Sequence, residues 1–447
     1  MLGEYPIQGR RASEIARSVE RAIASGAWEP GSALPPQRAL AERLGVNPNT
    51  VAAAYRTLRE RGVIETDGRR GSRVRAKPAV TTRAAIRVDV PPGVRNLSDG
   101  NPDVALLPPL TAAFTAAAAR ADRDPVLYGA DPVDPDLARY ARRAFDRDGV
   151  PDGPTAVTSG SLDALERVLT AHLRVGDTVG VEDPGWGSVL DLVPALGLRV
   201  APVAVDDDGP LPDEVARVLA AGARALIVTD RAQNPTGAVI GADRARSLRA
   251  VLARHPDTLL IEDDHGHGVV DQPLHPLAGG TAHWALVRSA AKAYGPDLRV
   301  AVLTGDQVTL DRVRGRQSLG PGWVSLLQQR ALAHLWNSGA VDPHEVAASY
   351  GARRNALITA LAARGVEARG RSGMNVWVPV PDETGAVARL LHAGWAVAPG
   401  ARFRTRTPQG VRITVSPLSC AGTGTDVDEL AEAVARAVAP APARRST

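Results

Sequence analysis

The chain has 447 residues, 44% hydrophobic and 23% charged, a composition that excludes a disordered or fibrous protein and suits two or three packed domains. No run approaches the roughly 18 apolar residues of a membrane span, and the N-terminal MLGEYPIQGR does not follow the basic-then-apolar order of a secretory signal. The single cysteine, Cys420, excludes an internal disulfide framework, and a cytoplasmic protein is expected.

Charge is uneven along the chain. Residues 1–77 hold 14 basic and 8 acidic side chains, a net +6, whereas the remainder is close to neutral at −2. A basic head on a neutral body points to a polyanion met by the head alone. Of the 53 basic residues only Lys77 and Lys292 are lysine. A lysine in so arginine-rich a background is a candidate for chemistry that needs a primary amine, such as a Schiff base. Lys77 sits beside Pro78 in a linker-like stretch; Lys292 does not.

In the head, Ile15, Val19 and Ile23 recur every four positions and predict an amphipathic helix ending near Gly26. Pro35–Pro36 opens a second, short helix carrying Leu40 and Leu44. Gly45 and Val46 turn the chain, Asn47 is placed to cap a third helix, and Pro48 suits its first turn. That helix runs to about Arg61 and buries Val51, Tyr55 and Leu58. VIET, DGRRG and SRVR then read as two strands with a basic tip.

These parts predict an N-terminal α+β winged helix-turn-helix over residues 1–76. Its third helix would enter the major groove of double-stranded DNA, with Asn47, Asn49 and Thr50 nearest the bases. Arg38, Arg69, Arg70 and Arg73 would hold the phosphates. The segment EPGSALPPQRALAERLGVNPNTVAAAYRTLRERGVIET resembles the winged helix of the GntR family of bacterial repressors. It departs from that pattern at Pro48 and Ala52, where arginines are frequent, which shifts base readout toward Asn49 and Thr50.

Residues 77–96 have no sustained period and hold three prolines, as expected of an extended linker. Beyond it TAVT, DTVGVED, ARALIVTD, DTLLIEDD, WALVRSA and RVAVLTG alternate with amphipathic helices. That alternation predicts an α/β domain over 97–324 with a mostly parallel sheet. Long helical patterns with MNVWVPV, WAVAPG and VRITVS predict a smaller C-terminal α+β domain over 325–440, followed by a tail, 441–447.

In such a sheet ligands bind at the C-terminal strand ends, and the polar motifs sit there. After TAVT, the backbone N–H groups of Gly160, Ser161 and Leu162 open a helix and suit an anion. Trp186, in EDPGW, offers an aromatic plate, and Asn234 stands free in the turn QNPTG. Glu262-Asp263-Asp264-His265 invites a metal reading, with His267 as a further ligand. Successive strand residues face opposite ways, however, so the carboxylates cannot all converge, and no metal site is expected. Asp263 and His265 share one face, where the carboxylate could keep a ring nitrogen protonated. Lys292 follows a strand, and Arg299 lies seven residues on, beyond a Gly-Pro turn.

Phosphate nest, aromatic plate, Asn turn, acidic strand end, lysine and arginine, in that order, suit pyridoxal 5′-phosphate. The order resembles the fold-type I aminotransferases, and with the winged helix in front the chain resembles the MocR/GabR subfamily of GntR regulators. The resemblance implies a Schiff base at Lys292, a ring-nitrogen partner in Asp263, and Asn234 beside the ring hydroxyl. It implies phosphate ligands in Arg299 and Ser289, with Tyr128 reaching the phosphate of a partner subunit. Arg412, in GVRITVSP, matches an arginine that grips an amino-acid carboxylate. His265 and Trp186 stand where tyrosine is commoner, Ala291 where serine is frequent, and Ser188 where GABA-responsive members carry arginine.

The function implied is a pyridoxal-phosphate-dependent transcriptional regulator, a homodimer and plausibly head-to-tail, that binds a DNA operator. It would sense an amino compound, or the cofactor itself, through an aldimine at Lys292. The alternative is an active aminotransferase with a fused DNA-binding domain.

Overall fold

The computed structural model describes residues 7–29, 31–60, 63–66, 71–74, 82–83, 86–419 and 425–439. The wing-tip residues Arg69 and Arg70, together with Lys77, Cys420 and the tail 441–447, lie outside them. The chain divides into two compact units, one built on the head and one on the body.

In the head unit three helices, Ala12–Ala24, Gln37–Leu44 and Pro48–Glu60, are followed by antiparallel strands Ile64–Thr66 and Ser72–Val74. Ile15, Val19, Leu40, Val51, Tyr55 and Leu58 form the shared core, each at most 1% exposed. At about 1.5–3 kcal/mol per fully buried large apolar side chain, these contacts outweigh helix propensity in holding so small a unit. The Tyr55 hydroxyl donates to the Pro35 carbonyl at 2.8 Å and ties the third helix to the start of the second. Residues 31–34 also pair with Ser72–Val74, an addition to the wing that the sequence pattern did not predict.

The body carries an eight-stranded sheet. From one edge its strands are Thr155–Thr158, Ala301–Gly305, His283–Ser289, Leu259–Asp264, Ala225–Thr229, Thr178–Asp183, Arg199–Asp206 and Gly209–Pro210. The central strands are parallel, as the alternating pattern predicts. Ala301–Gly305 runs antiparallel to both neighbours, because the segment linking it to His283–Ser289 is shorter than the dozen residues a parallel crossover needs.

A second sheet orders Asn375–Pro379, Gly410–Thr414, Trp395–Pro399 and Arg95–Leu97. The last strand pairs in parallel with Trp395–Pro399, so the end of the expected linker belongs to the small sheet. Helix Leu326–Asn337, placed by the sequence in the small domain, packs instead on helices Thr111–Arg123 and Pro135–Arg147. Its Leu326, Ala331, Leu332 and Leu335 are buried. Among the described residues no helix is long and apolar enough to cross a membrane.

Candidate functional site

The C-terminal strand ends of the large sheet, together with the small sheet, enclose a cavity of about 380 Å³. Gly160, Ser161, Leu162, Trp186, Asn234, Asp263, His265, Ser289, Lys292, Arg299 and Arg412 all line it. Tyr128 does not: it is 95% exposed, with its ring edge-on to Trp323 at 5.8 Å between centroids.

Strand alternation sorts the acidic run. In the parallel pairing Val287 lies opposite Asp263 and Arg288 opposite Asp264. Asp263 and Ser289 face the cavity. Asp264 faces away, where Arg231 grips both its oxygens (3.0 and 2.8 Å) and Arg288 adds a third contact at 2.9 Å. Burial alone would raise the Asp264 pKa, but the two guanidinium groups hold it well below the usual carboxylate range. Asp148 and His267 lie close to Asp264, yet its oxygens are committed to arginine. Glu262 also faces away and accepts the Leu277 N–H at 2.6 Å.

On the cavity side, Lys292 Nζ donates to the Gly100 carbonyl at 2.6 Å. Burial, with Arg412 nearby, pulls its pKa down to about 8, which brings the free amine within reach near neutral pH. Arg299 Nη2 donates to the Ser159 carbonyl at 2.7 Å and passes beside Gly160. A Cβ at Gly160 would lie 2.5 Å from that nitrogen, and its φ of +96° also disfavours any other residue. Gly160 precedes helix Ser161–His172, whose first-turn N–H groups have no intrahelical partners. With Arg299 they form an anion cradle.

Arg412 is 3% exposed. It donates to Asn234 Oδ1 at 3.1 Å and to the Ser98 carbonyl at 2.5 Å, and stacks over Phe403 at 4.8 Å. Burial and the neighbouring Arg402 lower its pKa to about 9, which leaves it charged at neutral pH. His265 sits between Asp263 Oδ2 (3.0 Å) and the Ala232 carbonyl (2.8 Å).

Two contacts at the rim fix the geometry. The Asp183 carboxylate accepts N–H groups of Thr405, Arg406 and Thr407 and the Thr405 hydroxyl. The Arg83 backbone N–H donates to Asp191 Oδ2 at 2.5 Å, and its Nη1 donates to the carbonyls of Ala401 and Arg404. Arg83, Gly100, Met374, Arg402 and Phe403 line the cavity but were not predicted from sequence. Met374 opens the strand-like run MNVWVPV and Arg402 closes a short 3-10 turn, whereas Arg83, Gly100 and Phe403 lie outside any motif and reach the cavity only through the fold.

The fit to pyridoxal phosphate can be tested on polar atoms left over. Buried Asp263 Oδ1 and Ser161 Oγ have no hydrogen-bond partner. An unsatisfied buried polar group typically costs about 1–3 kcal/mol. A protonated pyridine nitrogen and a phosphate oxygen would satisfy these two, with Lys292 available to the aldehyde, so the residues present fit the group.

In the head, Asn47 Oδ1 accepts the Asn49 N–H at 2.9 Å and caps the third helix. Asn47, Asn49 and Arg38 are exposed and Thr50 half-buried. Arg73 donates one N–H to the Gly31 carbonyl at 3.0 Å, so part of its fork braces the wing.

Comparison with known proteins agrees with this architecture. Residues 92–434 match the family described as aminotransferase class I and II, and residues 11–74 match bacterial regulatory proteins of the gntR family. The chain is 40% identical over 424 residues to the vitamin B6 salvage pathway transcriptional repressor PtsJ of Salmonella typhimurium, covering 92% of this chain and 96% of that one. It is 31% identical over 349 residues to the pyridoxine biosynthesis transcriptional regulator PdxR of Corynebacterium glutamicum, covering 74% and 73%. Among solved structures, a single mutant of Thermus thermophilus aspartate aminotransferase superimposes with a TM-score of 0.67 at 27% identity, covering 77% of this chain and 91% of that one. The chain belongs to the class I and II aminotransferase family and, with a gntR winged helix at its N-terminus, to the MocR-type regulators.

Proposed function

We propose that this protein is a transcriptional regulator whose head binds operator DNA and whose body holds pyridoxal 5′-phosphate, so that cofactor or amine occupancy of the cavity sets DNA binding. The observation that carries the reading is the pairing of Lys292 with two unsatisfied buried atoms, Asp263 Oδ1 and Ser161 Oγ, on one cavity wall. The bound cofactor supplies an aldehyde that condenses reversibly with amines and a ring that withdraws electrons. Lys292 offers the amine, and Asp263 keeps a proton on the ring nitrogen. Arg299, Ser161, Ser289 and the amides of Gly160 and Leu162 at the helix start hold the phosphate. Trp186 covers the ring, Asn234 faces its hydroxyl, and Arg412 receives the carboxylate of an amino compound.

The names of two relatives, one for vitamin B6 salvage and one for pyridoxine biosynthesis, favour the cofactor itself as signal. In the head, Asn47, Asn49 and Thr50 read bases while Arg38, Arg69, Arg70 and Arg73 meet phosphates. Exposed Leu127, Tyr128 and Leu327, beside a hollow lined by Val126, Trp323 and Leu326, support a homodimer in which Tyr128 serves the neighbouring site.

The test is the visible absorption of the full-length protein with pyridoxal phosphate, before and after borohydride, with the modified peptide then found by mass. A band abolished by borohydride and a pyridoxyl group on Lys292 are expected; a protein that stays colourless refutes the cofactor reading. Operator footprinting with and without pyridoxal phosphate tests the regulatory half. Multiple turnovers with an amino donor and a keto acid would move the reading toward an aminotransferase.

A further inference from the structure

His265 has both ring nitrogens engaged, each by an oxygen. Its Nδ1 faces Asp263 Oδ2 at 3.0 Å and its Nε2 faces the Ala232 carbonyl at 2.8 Å. A carbonyl oxygen only accepts, and so does an ionised carboxylate, so both ring nitrogens must donate. The Ala232 carbonyl is held in place: its residue has a φ of +56°, uncommon for alanine, and its N–H donates to Ser372 Oγ at 2.9 Å. The ring nitrogen thus meets a fixed acceptor.

We propose that His265 is a doubly protonated positioning residue that divides the Asp263 carboxylate between two cations. It takes Oδ2 for itself and leaves only the buried, unpartnered Oδ1 for the cofactor's ring nitrogen. This inference rests on the cofactor reading above. A carboxylate already paired with an imidazolium attracts a second proton less strongly, so the ring nitrogen is held protonated less firmly than by an undivided carboxylate. The ring then withdraws fewer electrons from a bound amine, which favours holding the ligand over converting it.

The charged and titratable groups that act on His265 fit this state. Burial opposes the imidazolium, but Asp263 and the Ala232 carbonyl outweigh it and raise its pKa, while Lys292 pulls the other way. Glu182, buried near the end of Thr178–Asp183, also feels the His265 charge, and burial pushes its own pKa up to about 7.

The experiment uses the full-length protein with isotope-labelled histidine and, separately, with pyridoxal phosphate labelled at its ring nitrogen. In the cofactor-free wild type, the resonance that disappears in His265→Gln is expected to remain imidazolium at neutral pH, where an ordinary histidine, with a pKa of about 6.5, has largely lost its proton. A neutral His265 there overturns the proposal. In the loaded protein, His265→Gln keeps a donor toward Asp263 but removes the charge. The ring nitrogen is then expected to become easier to protonate by on the order of one pKa unit. An unchanged ring-nitrogen titration, with the cofactor still fixed on Lys292, also overturns it. His265→Asn replaces His265→Gln if the latter does not fold. A wild type that forms no adduct on Lys292 fails the cofactor reading instead, and the cofactor-free histidine spectrum still decides the state of His265.

Discussion

The two faces of the strands Leu259–Asp264 and His283–Ser289 handle charge in opposite ways. Behind the sheet, Asp264 receives three guanidinium contacts, and the fully buried Arg288 also pairs with Asp148 and stacks over Phe145 at 4.7 Å. In front, one residue earlier on the same strand, Asp263 keeps an oxygen unpaired, and Ser161 nearby does the same. The back face commits both Asp264 oxygens to guanidinium groups and so ties neighbouring strands together, although Glu262 Oε2 and Arg288 Nη1 stay unpaired there. The front face leaves donors and acceptors open, as a site for a polar ligand must.

The largest expected effect falls on the front face. Lys292→Ala should abolish pyridoxyl fixation by borohydride while scarcely moving the denaturation midpoint; residual labelling at that peptide position would break the contrast. On the back face, Asp264→Ala strands two buried guanidinium groups and should destabilise the fold by about 3–5 kcal/mol in chemical denaturation. Because the Asp264 pKa is depressed in the folded state, its stabilising contribution is full above about pH 4 and is lost only as pH falls toward the native value.

pH sharpens the comparison from the other side. Lys292 reacts as the free amine, so cofactor attachment should slow about tenfold for each unit below its pKa of about 8, measured by stopped-flow absorbance. A flat profile would place the free amine well below that value. The smallest effect is expected from Gly160→Ala, which forces a Cβ against Arg299 at a positive φ. It should cost about 1–3 kcal/mol of stability and weaken phosphate retention, the latter read by dialysis of the loaded protein.

Much of this was legible in the sequence because it is periodic or local. Helical spacing located the three head helices, and apolar runs located most strands of the large sheet. The cavity wall followed from motifs at strand ends, where chain topology gathers them. What escaped was non-local. Arg95–Leu97 is too short to carry a pattern and becomes a strand only by pairing with Trp395–Pro399, some three hundred residues away. Residues 31–34 likewise join the wing through the hydrogen bonds of Ser72–Val74. Phe403, beneath Arg412, and Gly100, beneath Lys292, sit in stretches whose local chemistry is ordinary. The contact between His265 and Asp263 was half legible: strand alternation puts both on one face, but no spacing rule says that the imidazole takes the carboxylate for itself.

The scarcity of lysine has a practical consequence once Lys292 is seen resting on the Gly100 carbonyl inside the cavity. A protein grown with isotope-labelled lysine carries only two labelled side chains, and Lys77 lies outside the body's domains. The body thus contributes a single ε-amine resonance, seated where the cofactor must arrive. Each change of occupant, from cofactor to competing amine, can be followed on that one signal without attaching a probe, which makes the native chain its own reporter.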